Sequence, residues 1–195
     1  MKRTAEIHRK TGETDVRVKL VLEGTGDSKI RTGIGFFDHM LQTIARHGGF
    51  NLEVDAKGDV ETGDHHTVED VGICLGEAFK KALGEKAGIV RFGSAACPMD
   101  EALARAVLDL SGRPHLVCEI PLPFHDIGNF QADSFLEFLR AFSNSCACTL
   151  HLDLLRGENL HHSLEALCKA LALALRQAVS VRPGSNAVPS TKGKL

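Results

Sequence analysis

A chain of 195 residues, 43% hydrophobic and 25% charged, has the composition of a soluble globular protein and the length to bury a sizeable core. Its 23 basic and 25 acidic side chains leave a formal net charge of -2, which gives no reason to expect nucleic acid or an anionic membrane as partner. No apolar run approaches the roughly 18 residues of a spanning helix, and the start lacks the apolar core of a secretory signal, so a cytoplasmic location is expected.

In chain order, the first clear element is a strand. Val16-Arg17-Val18-Lys19-Leu20 alternates apolar and charged side chains and runs into the turn Gly24-Thr25-Gly26. Gly35-Phe36-Phe37-Asp38-His39-Met40-Leu41 then opens a helix, and Asn51-Leu52-Glu53-Val54 is a second strand leading to Gly58. From His65 the period changes. Val68, Val71, Leu75, Phe79 and Leu83 fall on one helical stripe that Gly84 should stop.

The same order then recurs. Arg105 to Gly112 resembles Val18 to Gly26, and Asp133-Ser134-Phe135-Leu136-Glu137-Phe138-Leu139 resembles the first Phe-rich helix. Thr149-Leu150-His151-Leu152 leads to Gly157, and Leu164, Leu167, Leu171, Leu175 and Ala178 form the second stripe, ended by Arg182-Pro183-Gly184. The fold class is therefore α+β: two pseudo-twofold-related sheet-plus-helix halves from an internal duplication, residues 1–92 and 93–195. The polar tail from Gly184 is expected to be flexible unless a ligand orders it.

Each second helix starts at the same short motif, His-His-x-x-Glu. The copies are His65-His66-Thr67-Val68-Glu69 and His161-His162-Ser163-Leu164-Glu165, 96 residues apart. Residues three and four apart share a helix face, so each glutamate lies beside both of its histidines. Imidazole with carboxylate suits Zn, Mn, Fe or Ni. Neighbouring helical residues point about 100° apart, so a His pair suits two ions better than one. If the two helices approach, four histidines and two glutamates can be shared between two metals.

The repeat adds His39 and, at the matching place, Glu137. Eight positions make two roughly four-ligand sites, a count that leans towards an octahedral ion such as Mn²⁺ with openings left for substrate. Asp64 and Asp70 flank the first motif and are expected to accept from imidazole N–H groups. The remaining histidines (8, 47, 115, 125 and 151) read as hydrogen-bonded or surface residues. The six cysteines include no Cys-x-x-Cys pair; most read as small buried hydrophobes, and the spacing of Cys146 and Cys148 argues against a metal site.

Several blocks occur in a fixed order: Gly-Phe-Phe-Asp-His-Met-Leu (35–41), Gly-Asp-His-His-Thr-Val-Glu-Asp (63–70), Pro-Met-Asp-Glu-Ala (98–102), Asp-Leu-Ser-Gly-Arg-Pro (109–114), Asn-Leu-His-His-Ser-Leu-Glu-Ala (159–166) and Pro-Ser-Thr-Lys-Gly (189–193). Together they closely resemble the imidazoleglycerol-phosphate dehydratases. The resemblance implies a hydro-lyase of histidine biosynthesis. It would use two Mn²⁺ per active site to turn D-erythro-imidazole-glycerol phosphate into imidazole-acetol phosphate and water, through a dimetal-bound imidazolate and a diazafulvene intermediate. It further implies a homo-oligomer of 24 subunits whose sites are completed between chains.

By the same resemblance, His39, His65, His66, Glu69, His161, His162 and Glu165 bind metal. His39, His47, His65, Glu69 and His161 are expected to touch substrate, with a helix-end capping role as the alternative for His47. Glu13 is the first choice for substrate binding and acid/base chemistry, with Glu69 and Glu165 as further proton shuttles and Asp100 and Glu101 as possible contributors. Arg91 and Arg113 match phosphate-binding arginines; Lys169, on the face of Glu165, and Ser190, Thr191 and Lys192 of the tail are expected to complete the substrate contacts. Many family members carry His where this chain has Glu137, so that site should survive with altered affinity or be one ligand short. The competing readings are a dinuclear metallohydrolase acting on a small phosphorylated substrate and a metal-storage or assembly protein.

Overall fold

The computed structural model describes residues 2–195. Its first sheet holds β1 (Thr4–Lys10), β2 (Thr14–Val21), β3 (Ser28–Arg31) and β4 (Asn51–Gly58) in the order β1-β2-β4-β3. Its second holds β5 (Phe92–Met99), β6 (Ala102–Asp109), β7 (His115–Glu119) and β8 (Thr149–Arg156) in the order β5-β6-β8-β7. In each sheet the third strand runs parallel to the fourth and the other pairings are antiparallel. The helices are α1 (Gly35–Gly48) and α2 (His65–Leu83) in the first half, α3 (Ser134–Cys146) and α4 (Leu160–Val179) in the second. The duplication is thus complete at the level of topology.

Register corrects one detail of the sequence comparison. Setting Val18 against Arg105 is one residue out, because buried Val18 pairs with Val54 just as buried Ala106 pairs with Leu152, while Arg105 is exposed. A slip of one residue moves a strand's apolar set to the wrong face, so burial selects the pairing. Both helical stripes are buried as expected. Gly84 ends α2, its N–H donating to the Lys80 carbonyl. By contrast α4 stops at Val179, before Arg182-Pro183-Gly184, because Ser180 turns extended and Val181 bridges to Ile89.

The halves do not pack as two separate layers. Helix α2 lies along α3, and α4 lies against α1, so each half contributes one helix to each pair. One apolar core results, with phenylalanine as its only large aromatic: Phe37 stacks on Phe130 at 5.9 Å, and Phe79 meets Phe142 edge-on at 5.6 Å. The α2–α3 crossing is close because α2 presents Gly72 and Gly76 there. A Cβ on Gly76 would stand 2.7 Å from the Phe142 carbonyl oxygen and 2.8 Å from the Cys146 nitrogen.

Asp64, just before α2, ties the same pair at its start. Its carboxylate accepts from Ser134 Oγ at 2.6 Å and from the Gln131 N–H at 2.7 Å. Asp70 accepts from Arg9 Nε at 2.8 Å and from the Thr14 hydroxyl. Neither therefore receives an imidazole N–H, contrary to the expectation from sequence: both sit on the flanks of α2 that face other elements. No helix among the described residues is long and apolar enough to cross a membrane.

Replacing Gly76 by Ala should push α2 and α3 apart. Helix propensity favours the change, yet overpacking against backbone should outweigh it, lowering stability by about 1–3 kcal/mol in denaturant titrations.

Candidate active site

Both histidine motifs begin a helix, and helix geometry splits each pair. Asn159 caps α4, its side-chain oxygen accepting from the His162 N–H at 3.2 Å. His161 is thereby turned toward α1, which supplies His39. His39 Nε2 and His161 Nε2 lie 3.1 Å and 3.4 Å from the same atom, Glu165 Oε2. These three residues offer ligand atoms within 4.8 Å of one another. Phe36 walls one side, its ring edge-on to His161 at 4.9 Å between centroids.

Glu165 is buried, and burial alone would raise its carboxyl. The Lys169 hydrogen bond and the His39 ring outweigh that and bring it to about 2. Lys169 Nζ reaches Glu165 Oε1 at 2.8 Å and also lies 3.1 Å from Met99 Sδ. Its charge therefore faces the cluster, as its helical position predicts. His47, two turns beyond His39 on α1, borders this group: burial and then the Lys169 charge push its imidazole below the ordinary range.

The second copy of the arrangement is looser. His65 Nε2 stands 3.8 Å from Glu69 Oε2 on α2. Glu137 on α3 occupies the place that His39 holds on α1. Each stands ten residues before the left-handed residue that ends its helix, Gly49 or Ala147. The Glu137 carboxylate, however, is engaged by Arg140 one turn on. The two motifs also do not meet within one chain: the tight cluster takes its imidazoles from α1 and α4, and His65 is outside it.

His66 and His162 point elsewhere. His66 Nδ1 is 3.0 Å from Asp59 Oδ2 and 3.9 Å from Glu13 Oε2. His162 Nδ1 is 2.8 Å from Glu101 Oε2, with an Asp100 oxygen 3.9 Å from its Nε2. Hydrogen bonds from these rings lower Asp59 and bring Glu101 to about 2, and both imidazoles are raised in return. Glu101 was among the residues the sequence offered; Asp59 was missed. Its one sequence signal is its place after Gly58, six residues before His65, which periodicity cannot distinguish from a turn.

Arg91, by contrast with Lys169, lies at the far end of α4. Arg91 donates from Nε and Nη2 to Asp109 at 2.7 Å and 3.1 Å, and from Nη1 to the Pro189 carbonyl at 2.8 Å. Its N–H donates to the Ala178 carbonyl in the last turn of α4. Arg113 is exposed, its Nη1 donating to the Ser111 carbonyl at 3.3 Å and its N–H to the Ser111 hydroxyl at 3.1 Å. The tail packs along residues 88–91 through the Gly88 N–H and Arg91, leaving Thr191 and Lys192 exposed and Ser190 half-buried.

Comparison with known proteins decides the family. The family model for imidazoleglycerol-phosphate dehydratase matches residues 32–175. A relative of that name from Trichlorobacter lovleyi is 54% identical over 195 residues, covering all of both chains. One from Halorhodospira halophila is 56% identical over 196 residues, covering all of this chain and 99% of its own. The chain belongs to the imidazoleglycerol-phosphate dehydratase family. It is accordingly a hydro-lyase of histidine biosynthesis.

Solved structures of dehydratases agree with the fold. That from Staphylococcus aureus superposes with a TM-score of 0.83 at 36% identity, covering 92% of this chain and 99% of its own. That from Pyrococcus furiosus, in complex with (S)-C348, gives 0.84 at 35% identity, covering 97% and 100%. Within this dehydratase, one feature of the geometry constrains the chemistry. His161 and Ala178 are separated by seventeen residues of α4, about 26 Å at 1.5 Å per residue. The imidazole cluster and the Arg91 end of one chain therefore cannot hold the same small molecule.

Replacing Arg91 by Ala should free the tail while leaving the distant imidazole cluster intact. Hydrogen exchange at residues 187–192 is expected to accelerate at least severalfold, with the N-terminal turns of α2 and α4 unchanged.

Proposed function

We propose that the chain catalyses the manganese-dependent dehydration of D-erythro-imidazole-glycerol phosphate to imidazole-acetol phosphate, in the cytoplasm, as a homo-oligomer. The cluster of His39, His161 and Glu165 carries this reading. Two imidazole nitrogens and a carboxylate oxygen are a donor set for Mn²⁺ or its first-row neighbours. His65 and Glu69 with Glu137 would hold a second ion, and His66 and His162 would offer further nitrogens. Such a pair of cations supplies Lewis acidity at the substrate's ring nitrogens, easing departure of the neighbouring hydroxyl.

The chain's own groups must handle two protons. The carbon-bound proton leaves to a base, and the departing hydroxyl takes one from an acid; the enol so formed becomes the ketone. Glu13 is the best candidate for one of these roles. It is exposed at the β1–β2 turn, 3.9 Å from His66 Nδ1, and among the described residues no lysine or arginine pairs with it. Glu69 and Glu165 are the alternatives, although the Lys169 ion pair makes Glu165 a poor acid.

Phosphate recognition falls to Arg113, Ser190, Thr191 and Lys192, with Arg91 fixing the tail beside them. Because that end lies about 26 Å from the cluster on the same chain, a working site needs the cationic end of one subunit beside the imidazole end of another. A closed assembly of identical chains, 24 in number by family likeness, supplies that juxtaposition.

Incubation of Mn²⁺-loaded protein with imidazole-glycerol phosphate should yield a ketone and no inorganic phosphate. Chelation should abolish turnover and disperse large assemblies, and Mn²⁺ should restore both. Phosphate release without a ketone would instead mark a dinuclear metallohydrolase. Glu137→Ala should leave one tight Mn²⁺ site of two per chain by calorimetry; two sites of unchanged affinity would remove Glu137 from the ligand set.

A further inference from the structure

We infer that Asp59 and Glu101 are positioning residues, one for each half, which hold His66 and His162 by Nδ1 so that Nε2 is presented outward as a cation donor. The inference rests on the metal-dependent function proposed above and concerns residues that function does not use. A neutral imidazole has one N–H. When Nδ1–H donates to a carboxylate, the tautomer is fixed, the ring cannot swing, and Nε2 keeps its lone pair. Asp59 Oδ2 at 3.0 Å and Glu101 Oε2 at 2.8 Å meet that requirement.

The carboxylates reach their histidines by different routes. Asp59 follows β4, after Gly58; the acid that follows Gly157 in the second half is Glu158, whose N–H faces Glu101 while its side chain takes no part in holding His162. Glu101 immediately precedes β6; the acid that immediately precedes β2 is Glu13, which stands off at 3.9 Å from His66. Inheritance of one ancestral contact would place the acid at the same position twice. Two positions converging on one geometry point instead to a requirement at the ring.

Both carboxylates are also anchored. Glu101 Oε1 accepts from the N–H groups of Asn159 at 2.9 Å and Glu158 at 3.4 Å, and Asp59 Oδ2 accepts from Thr62 Oγ1 at 3.2 Å. A mobile surface ion pair would not need this second tier of bonds. By contrast His65 and His161 meet their carboxylates through Nε2, so the two rings of each motif are held by opposite nitrogens.

The test is calorimetric titration of Mn²⁺ into metal-free protein. Wild type should show two sites per chain, and Glu101→Ala should weaken one of them roughly 10–100-fold. Glu101→Gln, whose amide oxygen still accepts from Nδ1–H, should recover most of that loss. Asp59→Asn and Asp59→Ala give an independent reading at the other half, and Glu158→Ala should match wild type. Wild-type affinity in both Glu101→Ala and Asp59→Ala, or equal losses in Glu101→Gln and Glu101→Ala, would overturn the inference. Absence of Mn²⁺ binding by the wild type would be a different failure, overturning the proposed function and this inference with it.

Discussion

The exchange of helix partners between the halves is the constraint on which the site depends. If α1 packed on α2 and α3 on α4, each half would bury its own stripe and His39 would face the wrong glutamate. Instead α2 meets α3 at glycine-sized spacing, and α1 meets α4. The crossing brings a histidine from the first half within 3.1 Å of a glutamate from the second. Packing and chemistry are therefore the same event: an apolar crossing that slips by a turn moves His39 off Glu165.

Charge is managed at that crossing. A buried carboxylate among neutral groups would be costly, and Glu165 is buried. Lys169 compensates from the next helical turn, and the same lysine faces His47 and the Met99 sulfur. The pair keeps Glu165 ionised, the state in which it can ligate a cation. The looser copy has no such lysine in its motif, and at the place of His39 it carries a second acid, half-exposed Glu137, which draws on Arg140, a partner a cation would have to displace.

Much of this was legible in the chain. The motif pair stood out as a repeat, and both helical stripes and strands β2, β4, β6 and β8 follow from periodicity, because burial imposes period 2 or 3.6 directly on residue choice; the edge strands β1, β3, β5 and β7 were not read. What periodicity cannot report is which helix a stripe packs against, so the sequence suggested that the two motif helices approach one another, whereas each pairs with a Phe-rich helix. The same blindness misassigned the imidazole acceptors. Asp64 and Asp70 adjoin His65-His66 in sequence but face Ser134 and Arg9 across the fold, whereas Asp59 and Glu101 arrive from loops. The position of Glu137 was found correctly by repeat alignment; its engagement with Arg140, an exposed neighbour three residues on, leaves no periodic trace.

The separation of functions along α4 has a structural cause. A helix of twenty residues must span about 30 Å, and the pseudo-twofold sets both motifs at the starts of their helices. The C-terminal ends then carry unsatisfied carbonyls, which favour cations. Arg91 binds the Ala178 carbonyl through its N–H and holds Asp109 and Pro189 with its guanidinium, so the tail is tied to the end where the helix dipole is negative. The clustered carboxylates and imidazoles thus sit at one pole, and Arg91 with the tail at the other. On the function proposed above, a substrate carrying both an imidazole and a phosphate would be held only where opposite poles of two chains meet. On that reading assembly would be a condition of binding rather than an addition to it.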